Sequence, residues 1–163
     1  MTRLSPSSKG SRLSPGASIP VNSITEAQLT NSNSFGLGVL RTARAKYSFA
    51  VDGGAISTIT LATNATIPDN AVLMRCMVNS TTAVTSGGAA TIAFGTSAGS
   101  SSNSLMVANA VAGFSADAFV NSNIGEAGEI KMTAAGQITI TIEAFALTAG
   151  VIEITVLYFV AAA

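Results

Sequence analysis

Residues 137–143 read Gln137-Ile138-Thr139-Ile140-Thr141-Ile142-Glu143. Apolar and polar residues alternate without a break, which places Ile138, Ile140 and Ile142 on one face of a strand and Thr139, Thr141 and Glu143 on the other. A helix would scatter the same residues around its axis. Downstream, Val151-Ile152-Glu153-Ile154-Thr155-Val156-Leu157-Tyr158-Phe159-Val160 is apolar at successive positions. That is the pattern of a strand covered on both faces. Turn chemistry at Thr148-Ala149-Gly150 lies between the two, so they read as an antiparallel hairpin of long strands.

The same period extends back towards the N-terminus. Arg44 to Val51 alternates, which predicts a strand with Tyr47, Phe49 and Val51 on one face. Asp52-Gly53-Gly54 is a turn signal. Ile56, Ile59 and Leu61 mark a second strand, and Pro68-Asp69-Asn70 a second turn. Ala71 to Thr82 reads as a long strand with Val72, Met74, Cys76 and Val78 at period two, which puts Met74 and Met77 on opposite faces. Ser86-Gly87-Gly88 leads into a strand over Ala90 to Thr96, and Gly99 to Asn103 forms a loop. Leu105 to Val111 is a short apolar segment, whereas 113–127 has no clear period. No amphipathic helix interrupts the chain after residue 44. The expected fold is all-β, an antiparallel β-sandwich or jelly roll of about eight strands over 44–163.

Residues 1–43 read differently, as an extended N-terminal arm and a transition segment. Residues 1–18, MTRLSPSSKGSRLSPGAS, are rich in Ser, Pro and Gly and cannot build a core. Arg3-Leu4-Ser5-Pro6 recurs as Arg12-Leu13-Ser14-Pro15. No apolar run of the length of a signal-peptide core is present there. Ser23-Ile24-Thr25-Glu26 resembles a capping box before a short helical turn.

Composition narrows the function. The chain has 163 residues, enough for one domain. Charged residues make up 10% of it, against about 25% in an ordinary soluble domain. Eight basic and eight acidic residues cancel. Six of the eight basic residues lie within 1–46, against Glu26 alone, which gives a basic arm and an acidic body. With no His and one Cys, imidazole catalysis, His-ligated zinc, thiolate clusters and intrachain disulfides are excluded. Asp52 and Asp69 sit in turns, where Asp bonds the local backbone. Asp117, Glu126 and Glu129 lack the spacing of a calcium loop. Gly87-Gly88 and Gly36-Leu37-Gly38 lack the rest of a phosphate-binding motif. Cys76, in mid-strand, reads as a buried apolar group. No cofactor, metal or catalytic group is expected. The arm carries too few basic residues and no stacking aromatics for nucleic acid, and the 13 residues of 151–163 fall short of the roughly 20 of a membrane span.

Three segments resemble small virion structural proteins of tailed bacteriophages, of the head-decoration or cement type. They are AKYSFAVDGGAISTITLATNATIPDNAV (45–72), TTAVTSGGAATIAFGT (81–96) and KMTAAGQITITIEAFALTAGVIEITVLYF (131–159). The resemblance implies a jelly-roll cement protein that sits as a trimer on an icosahedral shell. Its partners would be the major capsid protein and copies of itself, and its place the virion surface after synthesis in the host cytoplasm. It implies no catalytic residue, and it does not reach the arm.

The residues themselves fit that role. A cement protein needs a rigid body, a self-complementary contact and an arm that gains area once docked. Arg3, Leu4, Arg12 and Leu13, the two copies of one unit, are the expected capsid-binding arm. Met77, Tyr158 and Phe159 are the expected oligomer contact. The alternative within a virion is a head fibre, a spike base, or a tail or receptor-binding part. A tip of that kind should show aromatics in its loops, where this chain has Gly, Ser, Ala and Asn. A carbohydrate-binding module outside a virus would use aromatic platforms, and the chain has no Trp.

Overall fold

A computed structural model describes residues 40–122, 124 and 130–160. The chain divides into two units, 1–34 and 35–163, and the described residues belong to the second. Eleven strands are present among them: β1 (Arg41–Ser48), β2 (Thr58–Thr60), β3 (Thr63–Asn64), β4 (Thr66–Ile67), β5 (Ala71–Ser86), β6 (Thr91–Thr96), β7 (Met106–Ala110), β8 (Ala118–Ser122), β9 (Ile130–Lys131), β10 (Gly136–Glu143) and β11 (Leu147–Val160). They form two antiparallel sheets. The larger runs β3-β1-β11-β5-β8, with β9 also paired to β5. The smaller runs β2-β10-β6-β7, with β4 also paired to β10. This is the expected β-sandwich, with several short strands beyond the expected eight.

Alternation builds the core. Ile138, Ile140 and Ile142 of β10 are buried, as are Ile92 and Phe94 of β6. Facing them, Ala43, Ala45 and Tyr47 of β1 and Ile152, Ile154 and Val156 of β11 are buried from the larger sheet. Each large aliphatic side chain removed from water contributes about 1.5–3 kcal/mol. Phe94 and Phe114 meet edge to face, with ring centroids 6.5 Å apart.

Four local readings are corrected. β1 ends at Ser48, and Phe49–Asp52 forms one helical turn. Asp52 folds back there: its carboxylate accepts the Ser48 amide at 2.8 Å and the Ala62 amide at 2.8 Å. Val51 consequently leaves the face of Tyr47 and is exposed. Ile56, expected to open the second strand, is exposed ahead of β2, which begins at Thr58.

In β5 the phase slips. Tyr158 stands opposite Leu73 and Leu157 opposite Arg75, so Met74 is an extra residue with no opposite number. This bulge puts Leu73, Cys76 and Val78 inward and leaves Met74 exposed. Met74 and Met77 both lie away from the core, on one side of the strand rather than on opposite faces.

Finally, β10 and β11 are not a hairpin. β10 lies in the smaller sheet and β11 in the larger. The chain crosses between them at Ala144-Phe145-Ala146, where Ala144 has φ 68°. Leu147 is then fixed by donating its amide to the Gly54 carbonyl at 2.8 Å. Thr148-Ala149-Gly150 belongs to β11 itself, where register shifts absorb the irregularity.

Outside the smaller sheet, the loop 97–104 lies across β6. A Cβ at Gly95 would overlap the backbone of Ser101 and Ser102, so only glycine admits this approach. The loop is laced by hydroxyls: Thr96 to Ser100 at 2.6 Å and Ser100 to Ser104 at 2.7 Å. Thr139, opposite Gly95, is outward-facing as expected yet buried, and its Oγ1 has no hydrogen-bond partner.

Candidate functional site

The side chains that could act on another molecule collect on the outer face of the larger sheet. Burial alternates along β1, with Ala43, Ala45 and Tyr47 inside and Thr42, Arg44 and Lys46 exposed. The register then sets the rows across this face. Lys46 stands opposite Glu153, Glu153 opposite Asn79, and Asn79 opposite Phe119. In the next row Arg44 stands opposite Thr155, and Thr155 opposite Met77. These residues line an open groove of about 410 Å³. Phe119 is 59% exposed at its edge.

The described basic residues lie on one sheet. Arg41, Arg44, Lys46, Arg75 and Lys131 all belong to strands of the larger sheet. Arg75 and Lys131 are exposed, each next to a core residue, Cys76 and Met132 respectively. Alternation therefore turns both of them, with Arg44 and Lys46, to the outer face. Glu153 is the acidic residue among them. The strands of the smaller sheet carry one charged residue, Glu143.

Met77 lies in the groove, part-buried. Phe159 is part-buried opposite Val72 on the same outer face. Tyr158 points the other way, into the core, and is 7% exposed. Arg3, Leu4, Arg12 and Leu13 lie outside the described residues. The residues that sequence reasoning missed are Arg44 and Lys46, which the charge tally grouped with the arm, and Phe119, which fell in a stretch without period.

Two titratable side chains, Cys76 and Tyr47, are withdrawn from solvent. Burial pushes the Cys76 thiol up to about 12, so it stays protonated at neutral pH and is a poor nucleophile. Tyr47 donates its hydroxyl to the Gly53 carbonyl at 2.8 Å, and burial, with a smaller push from the Asp52 charge, raises it to about 12. Among the described residues no three His, Cys, Asp or Glu side chains are placed to hold a metal ion, and no helix is long and apolar enough to cross a membrane.

No family model matches the chain, and no curated protein matches it in sequence. Solved structures do match in fold. A chain of the cyanophage Pam1 capsid asymmetric unit superposes with a TM-score of 0.56 and 17% identity, over 90% of this chain and 99% of that one. A chain of the Ralstonia phage GP4 capsid gives 0.54 and 17%, over 76% and 86%. A chain of the acid-stable capsid of Helicobacter pylori bacteriophage KHP30 gives 0.53 and 13%, over 75% and 88%. The sandwich is thus a fold found in chains of three phage capsids.

Proposed function

We propose that the chain is a bacteriophage capsid protein of the cement type. It binds the outer face of the major coat shell as a trimer and bridges neighbouring coat subunits, with its N-terminal segment as anchor. The observation that carries this reading is the fold likeness to chains of three phage capsids, one of which is covered over 99% of its length. Fold alone is an analogy, and the composition supports it independently. A low-charge body suits dry, extensive protein contact. Arg3, Leu4, Arg12 and Leu13, the repeated unit of the N-terminal segment, serve as the anchor, which gains contact area once docked.

Shells assembled without this chain provide the test. Full-length protein should co-sediment with them. A protein lacking residues 1–18 should keep its melting temperature and oligomeric state but no longer bind. A truncated protein that still decorates shells at full occupancy would remove the anchor from the account.

A further inference from the structure

We propose that the body docks through the outer face of its larger sheet, and that the coat surface it meets is acidic with an apolar patch. This inference rests on the cement reading and adds the face and the chemistry of its partner. Four exposed cations, Arg44, Lys46, Arg75 and Lys131, spread over β1, β5 and β9 of one sheet face. Glu153 offsets one of them. The groove is lined by Met77, part-buried on β5, and by Phe119, exposed on the edge strand β8. Apolar side chains beside charged ones on one face are common in protein-binding surfaces.

Charge decides the occupant. A second copy laid face to face would bring these cations against one another, and like-charge contact disfavours that pairing. An acidic protein surface would pair with them, and pairing of this kind speeds encounter and fixes register. Nucleic acid fits less well. Phe119 is the one exposed aromatic among the described residues of this sheet, short of the row of stacking platforms that single-stranded nucleic acid uses.

The test uses full-length protein and shells lacking it, with affinity read by co-sedimentation at about 0.1 M salt, where the Debye length is about 10 Å. Two charge-reversed proteins are compared, Arg44→Glu/Lys46→Glu on β1 and Arg75→Glu/Lys131→Glu on β5 and β9. All four side chains are exposed, and unchanged melting confirms each fold. Each pair should weaken binding by at least about tenfold, while Glu143→Lys on the smaller sheet should leave it unchanged. If both pairs bind like the parent protein, the docking face is elsewhere and the cement reading stands. If the parent protein itself does not bind shells, the cement reading falls and this face falls with it. If the parent instead retards a short DNA duplex and both pairs abolish that, the face is a nucleic-acid surface and the inference is overturned.

Discussion

Gly95 lies directly beneath the backbone of Ser102, so that a Cβ at position 95 would occupy the space of the Ser102 carbonyl group. The contact clamps the 97–104 loop onto the smaller sheet, where the Thr96 amide also bonds the Ser101 carbonyl at 3.1 Å. Gly95→Ala should therefore lower stability by about 1–3 kcal/mol, the usual cost of overpacking. Urea unfolding checks this. Faster hydrogen exchange at the Thr96 amide would show that the loop had lifted. An unchanged midpoint would mean that the loop does not rest on β6.

The same loop leaves a buried hydroxyl without a partner. Thr139 is 1% exposed and its Oγ1 is unsatisfied. Val has the same shape without the oxygen. Thr139→Val should stabilise the protein by about 1 kcal/mol, a rise in melting temperature of about 2–4 °C for a chain of this size. Calorimetry would expose the opposite sign at once.

Asp52 joins the end of β1 to the segment after β2. Its two carboxylate oxygens accept backbone amides of Ser48 and Ala62. Asp52→Ala strands both amides and should cost about 2–3 kcal/mol, the scale of hydrogen bonds to a charged group. Asp52→Asn keeps one acceptor and should fall between the two. Equal unfolding midpoints for Asn and Ala variants would refute the two-amide role.

Alkaline pH should destabilise the body. Tyr47 and Cys76 both hold their protons more tightly when folded, with values raised from 10.0 and 9.0 to about 12. A raised folded value means stability is fully present below the unfolded value and is lost as pH climbs towards the folded one. The loss should begin near pH 9 with Cys76, deepen above pH 10 with Tyr47, and be complete near pH 12. Tyr47→Phe should be less stable at neutral pH, since the bond to the Gly53 carbonyl is gone. It should also fall less steeply above pH 10. A parallel pH profile for parent and variant would exclude Tyr47 as a source.

Part of this architecture was legible in the residues because alternation is a local property. Ile138, Ile140 and Ile142 could face only one way, and they do. Alternation says nothing, however, about which sheet a strand joins. The 137–143 and 151–160 strands looked like a hairpin, yet a crossover at Ala144 sends them to opposite sheets. A left-handed alanine carries no sequence mark, whereas Thr148-Ala149-Gly150 carries turn chemistry inside a strand. The bulge at Met74 was equally silent, since it depends on the pairing of β5 with β11. The basic face was hidden by proximity: Arg44 and Lys46 are neighbours of the arm in sequence but belong to β1 in space. Tyr158 and Phe159 are adjacent, and only one of them faces outward.

Copy number per virion tests the central claim most directly. Quantitative mass spectrometry of purified particles would give the ratio of this chain to the major coat subunit. A cement protein coating the shell predicts a ratio near one to one. A few to a few dozen copies per particle would make the chain a fibre, spike or tail part, and its absence from particles would contradict a virion role altogether.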